Sequence, residues 1–214
     1  MKNFLSYIIP QTRKIKSDIN GYLELTKTNG KKLLDSKNTN YSYGSLQRVM
    51  RFGLNKMQDY KPENVLLLGL GGGCVINLLR NEFDFQGKIT AIELDKVVID
   101  IAETEFGHKS DDNLQIICDD ALNFINTTKS KYDLIIVDLF IDTKIPDFCY
   151  TVSFWETISK LSPLNSYLIF NSSIDKSYIR INNKNPEGII SQFYESKVYD
   201  KVEGHNELII SRKR

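Results

Sequence analysis

Five short runs, residues 65–69, 89–93, 114–118, 134–138 and 167–171, are almost wholly apolar and rich in leucine, isoleucine and valine. A strand that is apolar on both faces must be covered on both, so these runs predict parallel strands buried between layers of helix. Between them, residues 75–81, 96–106, 121–127 and 153–161 carry apolar side chains at helical spacing. The alternation of strand and helix predicts a doubly wound α/β sheet. Near the C terminus, residues 196–202 and 208–211 flank Glu203-Gly204-His205-Asn206 and read as an antiparallel hairpin that finishes the sheet.

The first sixty residues have a different texture. Residues 22–26 and 31–34 surround Thr28-Asn29-Gly30, and Asn-Gly favours a two-residue hairpin turn because both residues tolerate positive φ. Residues 44–57 then place Leu46, Val49, Met50, Leu54 and Met57 on one helical face. This predicts two units. One is an N-terminal β hairpin unit plus connecting helix over 1–60, the other a Rossmann-like domain over 61–214.

Charge narrows the function. With 28 basic and 27 acidic residues there is no polybasic field for nucleic acid or an anionic membrane, so a small molecule is the expected partner. Cys74, Cys118 and Cys149 are odd in number and lack metal-ligand spacing, which predicts no metal site and suits the reducing cytoplasm. The apolar stretch 4–9 is too short to span a bilayer and meets Pro10.

The chemistry concentrates where the apolar runs end. Gly69-Leu70-Gly71-Gly72-Gly73-Cys74 follows the first long strand, and Gly69, Gly71 and Gly73 let backbone amides and a helix N-terminus crowd a ligand. About 20 residues on, Glu93 tips the next strand, where its two oxygens can accept both hydroxyls of a ribose. Asp95 sits nearer the following helix and reads first as its N-cap. Asp119 and Asp120 follow the third strand, with Asp120 favoured for ligand binding and helix capping as the alternative for both. Asp138 ends Leu134-Ile135-Ile136-Val137, so a carboxylate stands on a buried strand where it could orient or deprotonate a nucleophile. His108 and His205 read as exposed turn residues, Trp155 as core and Cys74 as a small packing residue.

These segments, together with Asp120-Ala121-Leu122-Asn123 and Tyr132-Asp133, resemble the spermidine synthase family over about residues 60 to 172. The resemblance implies the fold of AdoMet-dependent methyltransferases: a mostly parallel, seven-stranded, Rossmann-like sheet preceded by a small β unit that often pairs subunits into a homodimer. It further implies that Gly69, Gly71 and Gly73 pack the amino-acid end of AdoMet or decarboxylated AdoMet, that Glu93 holds the ribose, and that Asp120 meets the adenine. The chain departs from the family pattern at the aminopropyl end. Gly72 stands where the family's glycine loop carries an acid, Ile141 replaces the second acid of the loop that starts at Asp138, Glu24 takes the place of a glutamine, and Tyr41-Ser42 that of a tyrosine-histidine pair. Lys144 falls in the presumptive gate loop.

The expected function is therefore an AdoMet-dependent transferase moving a methyl group to a small acceptor. Aminopropyl transfer to an amine, as in polyamine biosynthesis, is the alternative, with a non-catalytic AdoMet-binding homologue third. A nicotinamide-dependent oxidoreductase would use the same glycines and Glu93, but too little chain follows residue 171 for the substrate domain such enzymes need.

Overall fold

The structure, a computed structural model, describes residues 9–36, 40–42, 44–57, 60–141, 144–173 and 185–214. Four strands come first: β1 (Gln11–Ser17), β2 (Gly21–Thr28), β3 (Lys31–Asp35) and β4 (Asn40–Ser42), in an antiparallel sheet of that order. Asn29 and Gly30 both adopt positive φ, and Thr28 pairs with Lys31 across them, as the Asn-Gly signal predicts. Helix α1 (Gly44–Asn55) leads into the second sheet.

That sheet has seven strands in the order β10-β11-β9-β8-β5-β6-β7, namely β5 (Asn64–Leu68), β6 (Lys88–Glu93), β7 (Leu114–Cys118), β8 (Leu134–Val137), β9 (Tyr167–Ser173), β10 (Tyr194–Val202) and β11 (Asn206–Lys213). β5 to β9 run parallel, and the β10–β11 hairpin adds antiparallel to β9. Helices α2 (Cys74–Asn81), α3 (Lys96–Phe106), α4 (Ala121–Thr127), α5 (Val152–Leu161) and α6 (Pro186–Ile190) connect the strands. Among the described residues no helix is long and apolar enough to cross a membrane.

Alternate residues of each central strand feed opposite cores, which is why the runs are apolar throughout. Val65 and Leu67 of β5 pack with α1, α2 and α3, whereas Leu66 and Leu68 pack with α4, α5 and α6. Trp155 is fully buried in the second core, its indole N–H donating to the Cys149 carbonyl at 2.8 Å. Leu23, Leu25 and Leu34 of the N-terminal sheet dock on Val98 and Ile101 of α3. The strand order reverses between β5 and β8, so their carboxyl ends diverge there and open a crevice.

Asp95, which is 2% exposed, ties the two sheets together. It is the N-cap of α3, accepting from the Val97 N–H at 2.9 Å, as its position in the sequence predicts. It also accepts from the Ser17 hydroxyl and, at 2.7 Å, from the Asn20 side-chain amide. Asp95→Ala removes the cap and strands the buried Ser17 hydroxyl. It is expected to destabilise the fold by about 2 to 3 kcal/mol, read as a lower urea midpoint. A midpoint equal to that of the unaltered protein would show that this clamp carries no stability.

Candidate active site

The crevice is a cavity of about 350 Å³ at the carboxyl edge of the parallel strands. Gly69, Gly71, Glu93, Asp120 and Asp138 all line it. Gly73 does not: it is the N-cap of α2, in the left-handed conformation, with its Cα against the ring of His108.

Backbone geometry explains why β5 must end in glycine. The Gly69 N–H donates to the Ile92 carbonyl at 2.9 Å, and the Asp138 N–H donates to the Leu68 carbonyl at 2.8 Å. Gly69 has φ of +95°, and a Cβ there would lie 2.1 Å from the Asp138 carbonyl oxygen. Only a residue without a side chain lets the ends of β5 and β8 approach this closely.

Glu93 organises the loop that follows. One carboxylate oxygen accepts the N–H groups of Leu70 and Gly71, each at 3.2 Å, and the other accepts the Asp95 N–H at 3.0 Å. Burial pushes this carboxyl above its ordinary value, and the three N–H donors pull it back. Asp120 combines both roles read for it: it caps α4 by accepting from the Asn123 N–H at 3.0 Å, and it lines the crevice. Asp119 lines the crevice as well and is held by the Asp120 N–H and the Asn123 amide.

Asp138 stands on the end of β8. Burial pushes its carboxyl from the ordinary 3.8 up to about 6, against the opposing pull of the Asn171 side-chain amide, which donates to it at 2.9 Å. A carboxylate with a midpoint near neutral and access to a cavity is suited to accept a proton.

Sequence reasoning missed several neighbours. Asn171 is fully buried near the end of β9 and gives the same signal as Glu93 and Asp138, a polar residue tipping an apolar run. Ile19 and Asn20, on the turn before β2, reach the crevice only because Asp95 holds that turn. The turn between β10 and β11 also lines it through Glu203, His205 and Asn206. His205 is exposed, as expected, but faces the cavity mouth. His108 corrects its expectation. It is half-buried under the glycine loop, its Nε2 has no hydrogen-bond partner among the described residues, and burial lowers its pKa. Glu24 is remote from the crevice and pairs with Lys14 at 3.2 Å. Ile141 and Lys144 form a local bridge that leaves Lys144 exposed. The side chains of Tyr41 and Ser42 lie outside the described residues.

The chain matches the spermine/spermidine synthase domain family over residues 47–163. It is 35% identical over 120 residues to the eEF1A lysine and N-terminal methyltransferase of Danio rerio, covering 51% of this chain and 17% of that protein. It is 28% identical over 154 residues to the polyamine aminopropyltransferase of Vibrio vulnificus, covering 71% of this chain and 50% of that protein. The chain thus spans at most half the length of these two relatives. A solved structure, a probable spermidine synthase from Corynebacterium glutamicum, shares the fold with a TM-score of 0.76 at 18% identity, over 95% of this chain and 81% of that one.

Proposed function

The chain belongs to the spermine/spermidine synthase domain family, and from that premise we propose that it is an AdoMet-dependent transferase whose crevice holds the cofactor and an amine acceptor. The observation that carries this reading is the convergence of Gly69, Gly71, Glu93, Asp120 and Asp138 on one cavity of about 350 Å³, within the range of small-molecule sites.

The residues fit the cofactor. Glu93 turns both carboxylate oxygens on the loop amides and keeps acceptor capacity for ribose hydroxyls. Gly69 lets the ends of β5 and β8 close at the base of the crevice, Gly71 on its wall leaves the amino-acid end free of a side chain, and Asp120 offers an acceptor for an adenine amino group. When bound, AdoMet supplies a methyl carbon made electrophilic by its sulfonium. Asp138 would hold the acceptor nitrogen in line with that carbon and accept its proton, the methyl's bond to sulfur breaking as its bond to nitrogen forms and a neutral thioether leaving. Positioning of this kind can remove about 7 to 11 kcal/mol of barrier.

Charge supports an amine. Five carboxylates, Glu93, Asp119, Asp120, Asp138 and Glu203, line the crevice; Glu203 pairs with Arg48, and among the described residues no lysine or arginine lines the crevice itself. A cationic acceptor would exchange its hydration for these oxygens. The same feature favours the second reading, aminopropyl transfer from decarboxylated AdoMet. Gly72 and Ile141, which replace two acids, favour methyl transfer. We extend the proposal to a cytoplasmic homodimer with units 1–60 and 61–214. The absence of disulfides among the three cysteines suits that setting.

Calorimetric titration with AdoMet, decarboxylated AdoMet and methylthioadenosine tests the reading. One-to-one binding of AdoMet, tighter than that of its decarboxylated form, is the expected result. The reverse order would move the assignment to aminopropyl transfer, and binding of none would end the transferase reading.

A further inference from the structure

The turn between β10 and β11 reaches Asp138 through a chain of two amides. Asn206 donates its side-chain N–H to the Asn171 carbonyl oxygen at 3.1 Å, and Asn171 donates its own to the Asp138 carboxylate at 2.9 Å. The turn itself is fixed. Glu203 and Gly204 both adopt positive φ, and Glu203 pairs with Arg48 of α1.

The polarity of this chain is forced from the Asp138 end. An ionised carboxylate only accepts, so Asn171 must present its NH₂ end to it. That leaves the carbonyl end of Asn171 facing Asn206, and Asn171 is 0% exposed, so no bulk water can substitute. An amide that lost the Asn206 donor could rotate and bring its oxygen against the carboxylate.

We propose that Asn206 is a positioning residue for Asp138, acting through Asn171 to keep the donor end of that amide on the carboxylate and so hold Asp138 aimed at the acceptor. The proposal rests on Asp138 being the proton acceptor of the transfer reaction. It makes the C-terminal hairpin a working part of the acceptor side of the crevice.

The test is a pH titration of the Asp138 carboxyl by ¹³C NMR on the full-length, ligand-free protein labelled at aspartate, with Asp138→Asn assigning the signal. The other titratable groups on the crevice are Glu93 at the end of β6, Asp119 and Asp120 between β7 and α4, and Glu203 and His205 on the turn. Two replacements separate the chain from simple packing. Asn206→Leu keeps the volume but removes the donor. Asn206→Asp keeps the shape but can only accept, so two carboxylates compete for the one NH₂ of Asn171 and Asp138 loses part of its hold on it.

The expected result is a midpoint raised by about half a pH unit in the leucine variant, a threefold weaker acid, and by more in the aspartate variant. A midpoint unchanged in both, or raised in the aspartate variant alone, would overturn the proposal, the latter because added charge would then suffice. The titration needs no ligand, so failure of the amide chain and failure to bind AdoMet are read separately.

Discussion

Asp138→Asn is expected to lower the rate of group transfer by about 10²- to 10⁴-fold while AdoMet binding survives. Asparagine has the same shape and can still accept from Asn171, but it cannot take a proton from an amine. Turnover close to that of the unaltered protein, measured as AdoMet consumed with an amine acceptor, would remove Asp138 from the chemistry. The same replacement should also stabilise the protein in a pH-dependent way. The folded state holds the Asp138 proton up to about pH 6, whereas the carboxyl's ordinary value is 3.8. Folded molecules therefore bind more protons than unfolded ones between those values, and stability falls as pH rises through that window. Above about pH 6 the destabilisation is complete, on the order of 2 to 3 kcal/mol. Asparagine does not titrate, so the variant should be more stable than the unaltered protein at about pH 7.5, with the advantage gone by about pH 4. Urea unfolding at the two pH values measures it, and equal differences at both would mean that the carboxyl is not held in a poor environment for charge.

How far this site could be read from the sequence depended on whether a residue's role follows from its own strand. Glu93 and Asp138 tip apolar runs, and a buried strand that ends in a carboxylate delivers it to the carboxyl edge whatever the rest of the chain does. For the same reason α3 and α4 match the helical pattern residue for residue, at 96–106 and 121–127. β1 was not legible. Its seven residues, Gln11–Ser17, include one aliphatic side chain, Ile15, and most of the strand is exposed, so pairing with β2 rather than patterning defines it. Helix α6 is five residues long, too short to show a period. Asn206 and His108 depend on long-range packing. Asn206 meets Asn171 only because β11 lies beside β9, and His108 is covered only because α3 ends under Gly73. A sequence read locally sees both as polar residues in turns.

Glu93 provides the sharpest test of the cofactor site, because its isosteric amide should be no improvement on alanine. The two carboxylate oxygens face three N–H donors, two on one oxygen and one on the other. Glutamine offers one oxygen and one NH₂, so in either orientation a donor meets a donor and part of the glycine loop loses its partner. With hydrogen bonds to a charged group contributing about 1.5 to 3 kcal/mol each, Glu93→Gln and Glu93→Ala are both expected to weaken AdoMet binding by about 100-fold or more. Binding by the glutamine variant within threefold of the unaltered protein would show that the carboxylate does not hold the ligand. The pH dependence adds a second readout. Burial raises the Glu93 carboxyl above the ordinary 4.5, and ribose hydroxyls donate to its ionised form. Affinity should therefore be complete on the alkaline side and fall as pH drops through the raised Glu93 midpoint. The Asp138 carboxyl is also raised, to about 6, so the comparison belongs in the Asp138→Asn background. There, AdoMet affinity should still decline with acid when Glu93 is present and become flat when it is glutamine. A decline that persists without Glu93 would assign the ribose contact to another group on the crevice.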